Sequence, residues 1–276
     1  MEQREKRVLQ WHPAFVAGLQ IEFEEELAKM HFESEYQLGT KPKEIDVLII
    51  KKNDADSIEK NIGRLFRKYN IVEYKSPEDY LSVDDFYKVY GYACFYKADA
   101  TSENGILADE ITITFVCKGY PYKLINHLQK KRKLRITEFD RGIYYIIGDI
   151  IAIQMIVTSR LSKEKNFWLS NLTDDISESE RIQEISVEYQ KHRGSKWYRS
   201  VMNIIVRANR EHFLEGREMC EAIRELWQEE FDEAREEGRE EGVLLALTGL
   251  VRDNLLSLDE AVKRAKISRE DFLKLC

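Results

Sequence analysis

Two short apolar segments in the N-terminal half constrain the possible folds of this chain most strongly. Val47–Ile50 follows Asp46, and its β-branched, uninterrupted apolar character indicates a buried strand. A second strand is predicted from Ile71 to Lys75. Because side chains alternate along a strand, Glu73 and Lys75 lie on one face of it. Lys75 is the only lysine of the chain with an acidic residue two positions earlier, so the choice of this acid–base pair is not arbitrary.

The segments around these two strands predict a mixed β-sheet flanked by helices. An amphipathic helix is expected from Trp11 to Met30, and Ser82 with Asp85 forms a capping box that opens a second helix. Further strands are predicted at the segments Ile111–Cys117 and Leu134–Val157, the latter holding two or three strands split at Arg141-Gly142 and Gly148-Asp149.

Only helices are predicted after Glu164, where strand patterns stop. The sequence therefore indicates an α/β domain at residues 1–175 and an all-helical C-terminal arm at 176–276 that ends in a helix pair. The acidic composition of residues 215–241 favours self-association or partner binding through these helices. The terminal pair also contains lysine and arginine, which leaves a DNA contact as an alternative.

Composition narrows the class of protein further. The four cysteines and five histidines are scattered without metal-binding spacing, which argues against zinc and against a disulfide framework. No membrane span or leader is expected, so we predict a reduced cytoplasmic protein. A net charge of −7 argues against a general nucleic-acid coat, although Lys130–Arg135 is strongly basic. That basic run fits either a substrate groove or a solvated loop.

Asp46, Glu73 and Lys75 suggest metal-assisted hydrolysis. Mg²⁺ prefers oxygen ligands, keeps several waters and commonly shares its shell with substrate phosphates. Two carboxylates from neighbouring strands could hold such an ion, while a lysine beside them orients or activates the attacking water. The chemistry predicted from these residues is hydrolysis of a phosphodiester bond.

This arrangement resembles the PD-(D/E)XK nuclease superfamily. The nearer resemblance is to its bacterial recombination-promoting (Rpn-like) branch, also described as transposases. The resemblance covers about residues 11–172 and is sharpest at Lys-Pro-Lys-Glu-Ile-Asp46 and at Glu73-Tyr-Lys75-Ser-Pro. It implies a restriction-endonuclease-like fold and a Mg²⁺-dependent DNA endonuclease, with Mn²⁺ as a possible substitute and a link to recombination or mobile elements.

The resemblance also implies roles for individual residues. Asp46 and Glu73 would ligate the metal, Lys75 would be the catalytic lysine, and Glu22 would be an auxiliary metal ligand on the first helix. Glu24 and Glu26 are alternatives to Glu22, and Lys88, Tyr87 and Tyr90 are candidates for a further residue on the second helix. Two other interpretations stay open: an RNA-directed or defence-type nuclease, and a catalytically inactive scaffold that binds partners.

Overall fold

The computed structural model describes residues 9–37, 44–53, 57–99, 105–215, 242–253 and 255–265, together with residues 228, 239, 268–269 and 271–272. The chain divides into two compact units, Met1–Arg217 and Glu218–Cys276. None of the described helices is long and apolar enough to span a membrane.

The first unit is a mixed α/β structure built on seven strands. The strands are β1 (Met30–Gln37), β2 (Glu44–Lys51), β3 (Tyr69–Tyr74), β4 (Ile111–Cys117), β5 (Arg135–Asp140), β6 (Ile143–Ile147) and β7 (Ala152–Val157). The helices are α1 (Trp11–Glu22), α2 (Val83–Ala98), α3 (Tyr122–Lys130), α4 (Phe167–Asn171), α5 (Ser179–His192), α6 (Lys196–Ala208) and α7 (Arg210–Glu215).

The seven strands form a single sheet in the order β1-β2-β3-β4-β7-β6-β5. The central strands β3, β4 and β7 are parallel, whereas β1–β2–β3 and β7–β6–β5 are antiparallel. The carboxyl ends of the parallel strands therefore share one edge of the sheet, which is where open α/β sheets usually bind ligands. Because β2 runs against β3, the start of β2 lies at this same edge.

Each face of the sheet is covered by helices. The side chains of Phe86 on α2 and Phe115 on β4 stack at 5.6 Å, and α3 contributes Leu124 and Leu128 to the same core. On the other face, Phe15 of α1 stacks on Tyr74 of β3 with 4.1 Å between ring centroids. The side-chain alternation of β3 therefore separates Tyr74 from Glu73, which faces α2.

The first helix is shorter than the sequence predicted. α1 ends at Glu22, and residues Glu24–Lys29 form 3₁₀ turns before β1 begins at Met30. The carboxylate of Glu26 accepts hydrogen bonds from the backbone N–H groups of Glu59 (2.8 Å) and Lys60 (3.0 Å). This long-range contact holds the 3₁₀ segment in place, and sequence periodicity carries no sign of it.

The division between the two units also differs from the predicted boundary at residue 175. α6 packs along α1, and a Cβ at Gly18 would lie in ordinary van der Waals contact with the Val201 side chain, at 3.8 Å. Asn209, just after α6, donates to the carbonyl of Thr173 at 2.7 Å and accepts from the N–H of Ile176 at 2.7 Å. Helices α5 to α7 therefore belong to the same compact unit as the sheet.

The described part of the second unit is small and helical. Residues 242–252 (α8) and Leu258–Ala265 (α9) pack around the buried side chains of Leu247, Ala261 and Phe272. The hydroxyl of Ser268 accepts from the N–H of Asp271 at 3.1 Å, as the predicted helix start requires. The predicted helix at residues 218–240 lies almost wholly outside the described residues.

Candidate active site

Asp46 lies near the start of β2, at the sheet edge where β3 ends. Its Oδ2 atom accepts a hydrogen bond from the Tyr74 N–H at 2.8 Å and lies 3.5 Å from Nε2 of His12. The side chain keeps about 20% of its surface exposed. Asp46 is therefore fixed by β3 on one side and remains accessible on the other.

Glu73 is almost completely buried and faces Asp46 across the strand pair. The register pairs Val47 with Val72, so one further step along both strands places Asp46 opposite Glu73. Directly opposite residues of an antiparallel pair share a face. Burial raises the pKa of Glu73, and the nearby charge of Asp46 raises it further. We call these two residues the acid pair.

Lys75 lies on the same face as Glu73. Its Nζ atom is 3.2 Å from Glu73 Oε1 and 2.9 Å from Oδ1 of Asp85 at the start of α2. Partial burial acts to lower the pKa of Lys75, but the Asp85 and Glu73 carboxylates outweigh it and raise the pKa above its ordinary value. Lys75 is therefore a positively charged ammonium at neutral pH.

Asp85 has two structural roles that the sequence revealed only in part. As predicted, it forms a reciprocal capping box with Ser82: Oδ2 accepts from the Ser82 N–H at 2.9 Å, and the Ser82 hydroxyl accepts from the Asp85 N–H at 3.1 Å. Its other oxygen binds Lys75. The helix start thus positions the lysine, a role that the capping pattern alone does not indicate.

The acid pair has oxygen atoms available for a cation. Asp46 uses Oδ2 for its protein contacts, and the ion pairs of Glu73 with Lys75 and Lys88 both use Oε1. Within the part of the chain that the structure describes, Asp46 Oδ1 and Glu73 Oε2 therefore have no hydrogen-bond or ion-pair partner. Two neighbouring carboxylates repel each other, and a divalent cation between them would relieve that repulsion.

A site with more protein ligands is not found among the described residues. No group of three or more histidine, cysteine, aspartate and glutamate side chains there is arranged to hold a metal. Two carboxylates are ligands of the kind that Mg²⁺ takes together with its own waters, whereas structural Zn²⁺ sites use four protein ligands.

Glu22, the predicted auxiliary ligand, lies at the far end of α1 from the acid pair. It is ten residues from His12, which corresponds to about 15 Å along a helix. Its Oε2 is 2.6 Å from Lys60 Nζ, and its Oε1 accepts from the Leu169 N–H at 3.0 Å. Burial raises the pKa of Glu22, and the Lys60 charge opposes this effect. The structure does not bring Glu22 to the acid pair.

The alternatives to Glu22 are also held elsewhere. Glu24 accepts a hydrogen bond from the Tyr198 hydroxyl at 3.1 Å, and Glu26 binds the backbone of Glu59 and Lys60. The residue that α1 does bring to the acid pair is His12, and hydrogen bonding to Asp46 raises its pKa. A lone histidine at the start of a helix gave no sequence signal for this placement.

Of the three candidates on α2, one lies near the acid pair. Lys88 Nζ is 3.8 Å from Glu73 Oε1, and its side chain is half exposed. Tyr87 instead forms a hydrogen bond with His127 at 3.0 Å, and Tyr90 donates to Asp149 at 2.9 Å. Lys88 therefore joins Lys75 in surrounding Glu73 with positive charge.

Comparison with known proteins adds nothing to this geometry. No protein-family model, curated protein or solved structure matches the chain. A functional assignment therefore depends on the arrangement of Asp46, Glu73 and Lys75 and on the sheet edge that presents them.

Proposed function

We propose that this chain is a Mg²⁺-dependent endonuclease that hydrolyses DNA phosphodiester bonds. The observation that carries the proposal is that Asp46 and Glu73 lie opposite each other with the Lys75 ammonium on the same face. In this proposal the acid pair holds Mg²⁺, with Mn²⁺ as a possible substitute, and Glu22 has a structural role instead of the metal-binding one.

The order of elements supports a restriction-endonuclease-like core. A helix precedes three antiparallel strands, and α2 then crosses over to the parallel strand β4. The acid pair and Lys75 come from the second and third of these strands, at the edge where the parallel strands end. The link to recombination or mobile elements rests on the sequence resemblance alone, as does a bacterial cytoplasmic location.

The acid pair, Lys75 and Asp85 have different roles in the proposed hydrolysis. A divalent ion at the acid pair would lower the pKa of a bound water and neutralise charge on the scissile phosphate. Lys75 keeps its proton because Asp85 and Glu73 raise its pKa, so it orients the attacking water and attracts the phosphate instead of acting as a base. Asp85 fixes the Lys75 ammonium in position through their 2.9 Å contact.

The test is nicking of supercoiled plasmid DNA with and without Mg²⁺. Asp46→Asn keeps an oxygen that can accept the Tyr74 N–H, so the fold should persist while metal binding weakens. We expect Asp46→Asn and Lys75→Met each to lower the nicking rate by about 100-fold or more, the usual size of such losses. EDTA should abolish nicking by the wild type.

Matched controls come from an exposed loop before α4. Glu164→Gln and Lys163→Met remove the same charges from exposed positions that have no role in the proposed site, and both variants should nick at the wild-type rate. Full Mg²⁺-dependent activity in both Asp46→Asn and Lys75→Met would refute the proposed site. Absence of both nicking and metal binding in the wild type would favour the inactive scaffold.

A further inference from the structure

Three largely exposed tyrosines lie on or next to α2 and α3, and each is tied to the protein by its hydroxyl group. Tyr80, Tyr87 and Tyr122 are 49%, 47% and 68% exposed. The Tyr80 hydroxyl accepts from the Lys123 N–H at 3.2 Å, and the Tyr122 hydroxyl accepts from Arg160 at 3.3 Å. Tyr87 forms its hydrogen bond with His127. We call these residues the tyrosine row.

This arrangement is unusual for surface tyrosines. An exposed tyrosine ordinarily keeps its ring on the protein and turns its hydroxyl to water. In Tyr80, Tyr87 and Tyr122 the hydroxyl is instead hydrogen-bonded to the protein, and a large part of the side chain is exposed to solvent. The ring is thereby restrained in one orientation, which lowers the entropy lost when a planar partner stacks on it.

The tyrosine row follows α3. Tyr80 and Tyr87 are anchored at Lys123 and His127, which are one helical turn apart, or roughly 6 Å. Tyr122 is adjacent to Lys123. Tyr80 lies on the loop that joins Lys75 to α2, and Tyr87 lies two residues after Asp85. Two members of the row are therefore close in sequence to Lys75 and to Asp85, which binds the Lys75 ammonium.

The chain segment that contains α3 is basic in an otherwise acidic protein. Residues 111–137 contain seven lysines and arginines and no aspartate or glutamate, whereas the whole chain carries a net charge of −7. Lys123, Lys130 and Lys131 are exposed on or just after α3. Glu78 and Asp79 precede Tyr80 on its loop, so α3 supplies the attraction for anions.

Arg132, within the same basic run, is committed to the protein. Its guanidinium binds Asp149 at 2.7 Å and lies 4.7 Å from the ring centre of Tyr90. The basic run Lys130–Arg135, predicted as a substrate groove, therefore contains two kinds of residue. Arg132 supports the packing of α2, whereas the exposed lysines face solvent.

We infer that the tyrosine row and the α3 lysines bind a single-stranded segment of DNA and lead it to the acid pair. This inference rests on the proposed function and specifies its substrate. Fixed aromatic faces stack on bases only where the bases are unpaired, and lysines along the same path contact the phosphates. A duplex hides its base faces and could use the lysines alone.

Fluorescence anisotropy with a labelled 20-nucleotide oligo(dT) and a 20-base-pair duplex tests this, with EDTA present so that no cleavage occurs. Tyr87→Leu and Tyr122→Leu should each weaken oligo(dT) binding by about tenfold or more, the usual loss for one stacked base, and leave duplex binding within twofold. Tyr87→Phe and Tyr122→Phe keep the ring but lose the hydroxyl tether, so each should lose less affinity than the matching leucine variant and more than none. Phe139→Leu, an exposed aromatic on β5, is the matched control and should bind as the wild type does.

The lysines are tested through the salt dependence of oligo(dT) binding. Lys123→Met combined with Lys130→Met should reduce the slope of log affinity against log salt by about 0.7 per lysine. Lys163→Met should leave the slope unchanged. Thermal melting of each variant verifies that it is folded.

Unchanged oligo(dT) affinity in folded Tyr87→Leu and Tyr122→Leu variants would overturn the inference, as would equal losses for oligo(dT) and duplex. These outcomes are separate from failure of the proposed function. The anisotropy assay contains EDTA and measures binding without metal at the acid pair, so an inactive acid pair would appear only in the nicking assay.

Discussion

The buried ion pair between Glu22 and Lys60 provides a quantitative test of the fold. Glu22 Oε2 and Lys60 Nζ are 2.6 Å apart, with 2% and 23% of their side chains exposed. Lys60→Met would leave a buried carboxylate whose remaining contacts are backbone hydrogen bonds, from the Leu169 N–H at 3.0 Å and from Trp168. Breaking a buried pair in this way costs about 3–5 kcal/mol of unfolding free energy, and the partial exposure of Lys60 places the cost near or below the lower end.

Protonation of Glu22 limits the cost. A carboxyl group with an ordinary pKa of 4.5 takes up a proton at pH 7 for about 1.4 kcal/mol per pH unit, or roughly 3.5 kcal/mol. We therefore expect Lys60→Met to lower the unfolding free energy by about 2–3 kcal/mol at pH 7. This corresponds to a decrease in melting temperature of roughly 4–12 °C for a unit of this size.

The sign of the pH dependence follows from the raised pKa of Glu22. A carboxyl group whose folded-state pKa is raised contributes full stability below its unfolded pKa and loses it as the pH rises through its folded pKa. Removing Lys60 raises that folded pKa further, so the gap between wild type and Lys60→Met should widen from pH 5 to pH 8. At pH 5 the contribution of Glu22 should be below about 1 kcal/mol.

Urea unfolding monitored by circular dichroism at pH 5, 7 and 8 measures these differences. Adding Glu22→Gln to Lys60→Met should restore most of the lost stability, because a neutral amide can still accept the Leu169 N–H. The reasoning is refuted if Lys60→Met costs less than about 0.5 kcal/mol at pH 7, or if its cost is the same at pH 5 and pH 8.

Two further variants test other parts of the first unit. Hydrogen bonding to Lys165 lowers the pKa of Asp140 to about 2, so Asp140→Asn should cost less than about 1 kcal/mol above pH 4, and the difference from wild type should vanish as the pH falls through 2. Urea midpoints between pH 2 and 7 measure this, and a cost that persists at pH 2 would contradict it. Gly142 has φ +78°, and an added Cβ would lie 2.8 Å from the backbone of Arg160. Gly142→Ala should therefore lower the unfolding free energy by at least about 2 kcal/mol in the same assay, and a neutral effect would show that the β5–β6 turn relaxes.

The strands of the sheet were predictable because their signals are local. Alternation predicted β4 with its observed limits, Ile111–Cys117, and the breaks at Gly142 and Gly148 separated β5, β6 and β7. Both glycines adopt positive φ angles, which is the physical basis of the signal that they give in the sequence. The mixed α/β class follows from these elements.

The extent of the first unit could not be predicted, because it depends on contacts between distant segments. The apolar stripe of α6 looks the same whether it packs on α1 or forms a separate domain. Only the folded chain shows that α6 covers α1 and that Asn209 joins the carbonyl of Thr173 to the N–H of Ile176. Likewise, the end of α1 depends on Glu26 binding the backbone some 33 residues away.

Strand geometry accounts for the part of the predicted site that could be placed from the sequence. Alternation places Glu73 and Lys75 together, and the β2–β3 register adds Asp46. The position of Glu22 could not be inferred in the same way, because an acidic flank on a helix does not show which turn faces the sheet edge. The sequence also carried no sign of the role of His12. Its contact with Asp46 depends on how α1 packs on the sheet, which a single histidine in the sequence does not reveal.

Metal binding tests the central claim most directly. Isothermal titration of the wild type with Mn²⁺, and with Mg²⁺ as the second ion, should detect a divalent-cation site. Asp46→Asn and Glu73→Gln should each weaken the affinity by at least about tenfold, because each removes one of the two charged ligands. Glu164→Gln should bind as the wild type does. Binding that is unchanged in both acid-pair variants, or absent from the wild type, would contradict the claim that Asp46 and Glu73 hold a cation together.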